Sequence, residues 1–191
     1  MKLFLVRHGQ TEGNVKDLLQ GGGSDAILTP KGIEGVKATG KHLSYVPFDA
    51  IYVSPKMRTQ TTAKYIMDES QYSLPGMQIE DALNEMNFGK YESEPIKTFI
   101  YEKHFQFFED SKTAHEVGGE SFKDVTERVT AFVDQLSSSP LDNILCVSHG
   151  MTLMCLLQAI VPGKLSSPML SNASITVLDN QSGKWVLKLG Q

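Results

Sequence analysis

The chain has 191 residues, of which 40% are hydrophobic and 21% are charged, and its formal net charge is −4. This composition is that of a globular protein with one well-buried domain and at most a small insertion. An acidic balance without a dense Lys/Arg stripe argues against a nucleic-acid partner. No apolar stretch reaches the length of a membrane span, and the N-terminus does not resemble a signal peptide.

The two cysteines, Cys146 and Cys155, both fall inside apolar segments. Thiols in such segments usually pack as small hydrophobic groups, and two of them do not make a disulfide framework. The sequence therefore predicts a protein of the reducing cytoplasm.

Short apolar runs predict six β-strands. They cover residues 3–6, 50–54, about 77–80, 144–148, 174–178 and 185–189. The turn-rich segment "DNQSGK" joins the last two, which are expected to pair, with the final strand as an antiparallel edge.

Four helical patterns alternate with these strands. In "LTPKGIEGVKATGKHL", Thr29 is a suitable N-cap and Pro30 takes the first helical position. The segment "PKMRTQTTAKYIMDE" is predicted to form a helix from Pro55 onward. In "SFKDVTERVTAFVDQL", Ser121 is the expected cap of a helix with one apolar face. The segment "MTLMCLLQAI" is apolar almost all round, which predicts a buried helix.

Strand–helix alternation predicts an α/β fold in three α/β/α layers, with a mostly parallel sheet and an antiparallel edge strand. Residues 89–119 break this rhythm, and we expect them to form a small helical excursion within a single domain spanning 1–191. The excursion is rich in aromatic side chains, which we expect to pack it onto the sheet and in part to wall a substrate cleft: Phe99, Tyr101, Phe105, Phe107 and Phe108.

Charged residues follow several predicted strands. In open α/β sheets, ligands bind beyond the carboxyl ends of the strands. Arg7 and His8 follow the first strand, Arg58 lies in the first turn after the second, and His149 follows the strand at 144–148. Glu85 comes soon after the short strand near residue 80. The sequence thus predicts that two arginines, two histidines and one carboxylate share one rim.

This set of groups is suited to phosphoryl transfer. Two guanidinium groups can hold a phosphate, and the helix that follows His149 offers the backbone amides of Gly150 and Met151 to the same anion. An imidazole can attack phosphorus and form a phosphohistidine, while a carboxylic acid protonates the leaving oxygen. Because arginines can supply the positive charge, neither a metal ion nor another cofactor is expected.

The stretch "LVRHGQTEGN" resembles the signature of the histidine phosphatase superfamily, the phosphoglycerate mutase-like proteins. Five further segments resemble family blocks in the same order: "QGGGSDAILTPKG", "VSPKMRTQTTA", "LNEMNFGKYES", "GGESFKDVTERV" and "LCVSHGMTL". The resemblance covers most of the chain and implies a phosphoglycerate mutase-like fold.

The resemblance also implies roles for individual residues. His8 is expected to be the nucleophile and Glu85 the general acid and base. Arg7, Arg58 and His149 are expected to hold the phosphoryl oxygens with help from Asn14. The phosphate-binding set is completed by two residues of the "QGGG" block, Gln20 and Gly21.

Two departures from the family pattern stand near these residues. Ser93 occupies a position where family members commonly have glycine. Three residues rather than the usual two separate "QG" from Asp25, so the loop over the phosphate is expected to differ in shape.

One further motif and three further histidines give weaker indications of function. Gly21, Gly23 and Ala26 match G-x-G-x-x-A, the dinucleotide-binding fingerprint, but do not directly follow a strand. The remaining histidines lack ligand spacing and are expected to have ordinary surface or half-buried roles: His42, His104 and His115.

The sequence favours a metal-independent phosphatase acting on a small phosphorylated metabolite. A cofactor-dependent phosphoglycerate mutase is the first alternative, although such family members usually carry longer segments that close the site. A non-catalytic phospho-ligand binding module is the second, and the retained His8 and Glu85 argue against it. The sequence does not identify the substrate, and it is compatible with a homodimer.

Overall fold

The computed structural model describes residues 1–164 and 170–188. The described strands are β1 (Lys2–Arg7), β2 (Ala50–Val53), β3 (Met77–Ile79), β4 (Asn143–Ser148), β5 (Ile175–Gln181) and β6 (Lys184–Lys188). The described α-helices are α1 (Glu12–Val15), α2 (Pro30–Leu43), α3 (Met57–Asp68), α4 (Ile96–Tyr101), α5 (Ser111–Glu116), α6 (Phe122–Ser137) and α7 (Gly150–Ile160). The predicted end of the last strand, residue 189, lies outside the described residues.

The strands form one sheet in the order β3-β2-β4-β1-β5-β6. β4 pairs in parallel with β1 and β2, and β2 pairs in parallel with β3. β5 is antiparallel to β1, and β6 is antiparallel to β5. The predicted mostly parallel sheet is confirmed, but its antiparallel pairing begins one strand earlier than expected, at β5.

Alternate side chains of β1 enter different cores. Leu3 and Leu5 pack with α6 and α7 on one face, whereas Phe4 and Val6 pack with α2 and α3 on the other. This alternation gives the sheet a helical layer on each face, because successive side chains of a strand point to opposite sides. Of the described helices, none combines the length and apolar character needed to cross a membrane.

The helical excursion lies between β3 and α6 and contains α4, α5 and short 3₁₀ turns. Its aromatic residues form a third core, in which Phe99 and Phe108 are fully buried and Phe88 packs edge-on against both. The predicted packing role is confirmed for Phe99, Phe105, Phe107 and Phe108, but this core packs against α6 and α7 rather than on the sheet, and Tyr101 is 87% exposed.

The helix α3 begins two residues later than predicted. Asp25, from a distant loop, accepts hydrogen bonds from the backbone amides of Met57 at 2.5 Å and Arg58 at 3.4 Å. Lys56 is the N-cap residue, and its side chain makes no capping hydrogen bond. A carboxylate distant in sequence therefore caps the helix, a contact that local patterns do not show.

The segment after β1 is held against α2 by two glycines. A Cβ atom on Gly32 would lie 2.1 Å from the Gln10 carbonyl oxygen, and one on Gly9 would lie 2.6 Å from the Val36 Cγ2 atom. Real Cβ atoms do not approach other atoms so closely. The absence of side chains at both positions thus allows the helix to fix the strand end that carries His8.

Candidate active site

A pocket opens at the carboxyl ends of β1 and β4. Because Arg7 pairs with Ser148 in the parallel register, the next residues, His8 and His149, are neighbours across the two strands. The structure brings seven of the predicted residues to the pocket wall: Arg7, His8, Asn14, Gln20, Glu85, Gly150 and Met151. Arg58, His149 and Gly21 do not line it.

The hydrogen bond of His8 determines which ring nitrogen can react. The Nδ1 atom lies 2.8 Å from the Gly9 carbonyl oxygen, which can only accept, so Nδ1 carries the proton. The Nε2 atom therefore keeps its lone pair. Burial, together with the charges of Arg58 and Arg7, lowers the pKa of His8 to about 3. The imidazole is consequently neutral and nucleophilic at physiological pH.

His149 is fully buried beside His8, with the two rings 5.3 Å apart and near edge-on. Arg58 donates from Nε to its Nδ1 atom at 3.2 Å, so the proton of the neutral ring resides on Nε2 and is donated to the Ser54 hydroxyl at 2.6 Å. Burial lowers the pKa of His149, and the charge of Arg58 lowers it further. Both nitrogens of His149 are therefore occupied.

Arg58 is also fully buried, behind the pocket wall. Its guanidinium donates to the carbonyls of Gly21 at 3.1 Å and Ser24 at 2.7 Å and to the Asp25 carboxylate at 3.2 Å. These bonds hold the glycine-rich loop, whose shape was expected to differ from the family pattern. Arg58 thus influences His8 by its charge and shapes the loop by its hydrogen bonds.

Gly21 has a packing role in this loop. A Cβ atom at this position would lie 2.4 Å from the Glu92 Oε1 atom and 2.7 Å from the Met86 carbonyl oxygen. Glu92 in turn accepts a hydrogen bond from the Gly23 amide at 2.8 Å. The loop is therefore packed tightly against the segment that follows Glu85.

Three side chains present donors to the pocket. The Arg7 Nε atom and the Gln20 Nε2 atom are buried and have no hydrogen-bond partner within the described parts of the chain. Thr11 fixes the Gln20 orientation by donating to Oε1 at 2.9 Å. The Asn14 Oδ1 atom accepts from Thr11 and from Asn172, which leaves its NH₂ group as a donor. Buried unpaired donors of this kind are suited to phosphoryl oxygens.

Glu85 is held by one of its two oxygens. The Oε1 atom accepts from the backbone amides of Met86 at 2.9 Å and Thr152 at 3.0 Å. Among the described residues, the Oε2 atom accepts one longer bond, 3.2 Å from the Met151 amide. Because Oε2 is the less engaged oxygen of a carboxyl group at the pocket wall, it is the atom suited to exchange a proton with a ligand.

These bonds correct one expectation about α7. The amide of Met151 was predicted to be free for phosphate, but it donates to Glu85, as does the amide of Thr152. Gly150 lies next to the Arg7 guanidinium, and a Cβ atom on it would be 3.4 Å from the Arg7 Nε atom. The first turn of α7 therefore orients the carboxyl group rather than offering all its amides to an anion.

The aromatic residues at 99–108 do not line the pocket. The wall contributed by this part of the chain comes from Phe88 and Ile96 instead. The remaining histidines have ordinary partners: His42 contacts the Ala38 carbonyl, His104 lies between two glutamates, and His115 contacts Asp124.

Ser93, at the position where glycine is common, has a backbone φ of +68°. This left-handed conformation favours glycine, which explains the family preference in backbone terms.

In the described parts of the chain, no group of three or more potential ligand side chains is arranged to hold a metal ion.

Sequence reasoning missed the residues that orient the predicted ones. Thr11 was detectable, because "TEGN" places an N-cap threonine three residues before Asn14, and the structure shows this capping box. Ser54, Asp25, Thr152 and Asn172 gave no comparable signal, since each reaches its partner from a separate part of the chain.

A model of the histidine phosphatase superfamily (branch 1) matches residues 3–191. The chain belongs to this superfamily. An adenosylcobalamin/alpha-ribazole phosphatase of Salmonella typhimurium is 35% identical over 156 residues, covering 78% of this chain and 74% of that protein. The Yersinia enterocolitica protein named "Probable phosphoglycerate mutase GpmB" is 30% identical over 195 residues, covering 97% of this chain and 88% of its own.

The fold agrees with this membership. The crystal structure of phosphoglycerate mutase from Bacillus anthracis superposes with a TM-score of 0.86 over 98% of this chain and 91% of that chain, at 23% identity. The predicted phosphoglycerate mutase-like fold is confirmed. Since histidine phosphatase relatives are named both as phosphatases and as mutases, the choice between the two activities depends on the site.

Proposed function

We propose that the protein is a metal-independent phosphatase that hydrolyses a small phosphomonoester through a phosphohistidine at His8. The observation that carries this proposal is the hydrogen bond from His8 Nδ1 to Gly9, which leaves a neutral ring with its Nε2 lone pair at a pocket shared with Glu85. A binding module needs neither group.

In the first step, His8 Nε2 attacks phosphorus and the bond from phosphorus to the ester oxygen breaks. The carboxylic acid of Glu85 gives its proton to the departing oxygen, so an alcohol leaves and a carboxylate remains. Arg7, Asn14 and Gln20 are the donors placed to hold the phosphoryl oxygens, while Arg58 and His149 act from behind the wall.

In the second step, the Glu85 carboxylate accepts a proton from water, whose oxygen attacks phosphorus. The bond between phosphorus and Nε2 breaks, and inorganic phosphate leaves. Both His8 and Glu85 return to their starting protonation states. The positive charge that a metal ion often supplies would come here from arginine side chains.

The finer assignments are part of the same proposal. They are an acid-phosphatase type of histidine phosphatase, one domain over residues 1–191, a cytoplasmic location and a small phosphorylated metabolite as substrate. A phosphoglycerate mutase is the second candidate, because a relative with 30% identity carries that name. A mutase would return the phosphoryl group to product rather than to water.

The test uses two esters that differ in leaving group. For Glu85→Gln, kcat with an alkyl phosphate should fall about 10²- to 10⁴-fold, because the alkoxide needs a proton. The loss with 4-nitrophenyl phosphate should be much smaller, because nitrophenolate leaves without one. Phosphate release is measured for both esters, with the exposed Glu116→Gln as the matched control.

Two further measurements complete this test. Phosphate release by the parent protein should persist in EDTA, and loss that added metal restores would contradict metal independence. Efficient interconversion of 2- and 3-phosphoglycerate with little free phosphate would favour the mutase. Equal losses of kcat on the two esters would contradict the role of Glu85 as the general acid.

A further inference from the structure

The active-site pocket is lined by two chemically different sets of residues. The polar set comprises the reacting groups His8 and Glu85 and the donors described above. The apolar set, here called the leaving-group end, comes from separate parts of the chain, and four of its members belong to one hydrophobic cluster: Leu18, Leu19, Phe88, Ile96, Met151 and Met154. The pocket opens to solvent at its mouth, so a leaving group can extend outward from the phosphoryl group.

The apolar wall is built by tertiary contacts rather than by one hydrophobic segment. Met151 and Met154 are one turn apart on α7, so they lie on the same helix face. The segment of Leu18 and Leu19 is tied to the segment before α4 by a β-bridge to Pro95 and a hydrogen bond from the Leu19 amide to the Glu94 carbonyl at 2.9 Å.

Charged side chains near this wall point elsewhere. Glu92 accepts the Gly23 amide, Glu94 pairs with His104, and Lys97 is exposed on α4, and none of the three lines the pocket. Among the described lining residues, the cation is Arg7, which belongs to the phosphate end. The leaving-group end therefore offers no described partner for a carboxylate.

A charged substituent on the substrate would lose its water against this wall without gaining a counter-charge. Burying an ion without a partner is strongly unfavourable, whereas burying apolar surface is favourable by about 25 cal/mol per Å². Methionines also adapt to differently shaped apolar groups. These effects both favour an uncharged leaving group.

We propose that the leaving-group end selects phosphomonoesters of uncharged, largely apolar alcohols or phenols and rejects esters that carry a carboxylate. This inference rests on the proposed phosphatase function, since it concerns the same pocket. Met154 and Ile96 are the specificity-determining residues, because both line the pocket and neither belongs to the polar set that holds the phosphoryl group or exchanges protons.

The experiment compares 4-ethylphenyl phosphate with 4-(carboxymethyl)phenyl phosphate. The two phenols have similar acidity and size, so the chemical step is matched and the difference in kcat/KM reports the wall. We expect kcat/KM for the carboxylate ester to be about 100-fold lower, since its carboxylate would be desolvated without a partner.

A cation placed on the wall should weaken this preference. Met154→Lys is expected to narrow the ratio between the two esters at least about tenfold, because the new ammonium group pairs with the carboxylate. Gln158→Lys, one turn further along α7 and outside the pocket, is the matched control and should leave the ratio unchanged. Ile96→Lys tests the same idea from a separate part of the chain if Met154→Lys does not fold.

The outcomes separate this inference from the function on which it rests. Equal kcat/KM for the two esters, or an unchanged ratio in folded lysine variants, would overturn the apolar subsite and leave the phosphatase intact. Release of phosphate from neither ester would overturn the phosphatase proposal itself. A preference for 4-ethylphenyl phosphate that becomes smaller when a lysine is placed on the wall would support both the apolar subsite and the phosphatase function.

Discussion

The ends of β1 and β4 present the same residue type at neighbouring positions, yet the two histidines differ in what they can do. His8 donates from Nδ1 to the Gly9 carbonyl and keeps Nε2 at the pocket. His149 is bound at both nitrogens, by Arg58 and by Ser54, and lies behind the wall. The hydrogen-bond partners therefore distinguish a ring with a free nitrogen at the pocket, the proposed nucleophile, from a ring bound at both nitrogens, although the strand positions are equivalent.

The largest expected effect removes the nucleophile. His8→Asn keeps a donor where Nδ1 lies but has no atom at Nε2, and kcat should fall about 10⁴-fold or more. His149→Asn keeps an acceptor for Arg58 and should cost about 10²-fold, because the nucleophile remains while its surroundings change. Turnover and acid-labile phosphoenzyme, trapped by rapid quench with ³²P-labelled substrate, are measured together.

The phosphoenzyme discriminates the two roles. It should be undetectable in His8→Asn and still form in His149→Asn. A phosphoenzyme of normal amount in His8→Asn would place the nucleophile elsewhere. Near-UV circular dichroism of both variants controls for misfolding.

The second expected effect is a pH dependence of stability, to which both buried histidines should contribute. Burial lowers the pKa of both, to about 3 for His8, whereas an unfolded histidine titrates near 6.5. As pH falls from about 6.5 towards 3, the unfolded chain binds protons that folded His8 does not, so the free energy of unfolding decreases. The expected slope is roughly 1.4 kcal/mol per pH unit for each buried histidine.

Urea unfolding at several pH values between 7.5 and 4.5 measures this slope. His8→Asn and His149→Asn should each flatten it, and stability above pH 7 should carry no such dependence. His42→Asn, at an exposed position on α2, is the matched control for the loss of one histidine. An unaltered slope in both buried variants would show that the two rings are charged in the folded state.

The smallest effect loosens His149 without removing it. Ser54→Ala deletes the acceptor of the Nε2 proton and leaves a buried N–H unpaired, which costs about 1–3 kcal/mol of stability. We expect kcat to fall about tenfold with KM little changed, and phosphoenzyme still to form. Ser44→Ala removes a comparable buried hydroxyl at the end of α2 and should lose stability without losing turnover. Recovery of kcat in Ser54→Thr would confirm that the hydroxyl acts by positioning.

The sequence predicted the strand ends and the residues that follow them, because apolar runs and their polar termini are local patterns. It did not predict that the Glu85 carboxyl group accepts hydrogen bonds from the backbone amides of Met151 and Thr152. A free helix N-terminus favours any anion, and which anion reaches it depends on where the loop carrying Glu85 lies in space. Periodicity along the chain does not contain that information.

The same reason explains the other differences. The start of α3 follows from Asp25, more than thirty residues away in sequence, and the burial of Arg58 follows from the loop it holds. Four of the five aromatic residues predicted to pack do so, but Tyr101 is exposed, and Phe88 and Ile96 line the pocket instead. Contacts between distant segments decided each of these cases.

The close approach of Gly9 and Gly32 to their neighbours has a consequence for how this protein can change over generations. Since a methyl group at Gly32 would overlap the Gln10 carbonyl oxygen, substitution there would displace the segment that carries His8. The half-buried wall residues Met154 and Ile96 carry no such backbone restriction, whereas Phe88 and Leu19 belong to the buried core. New substrates can therefore be acquired by drift at the wall, while the backbone that supports the nucleophile stays fixed.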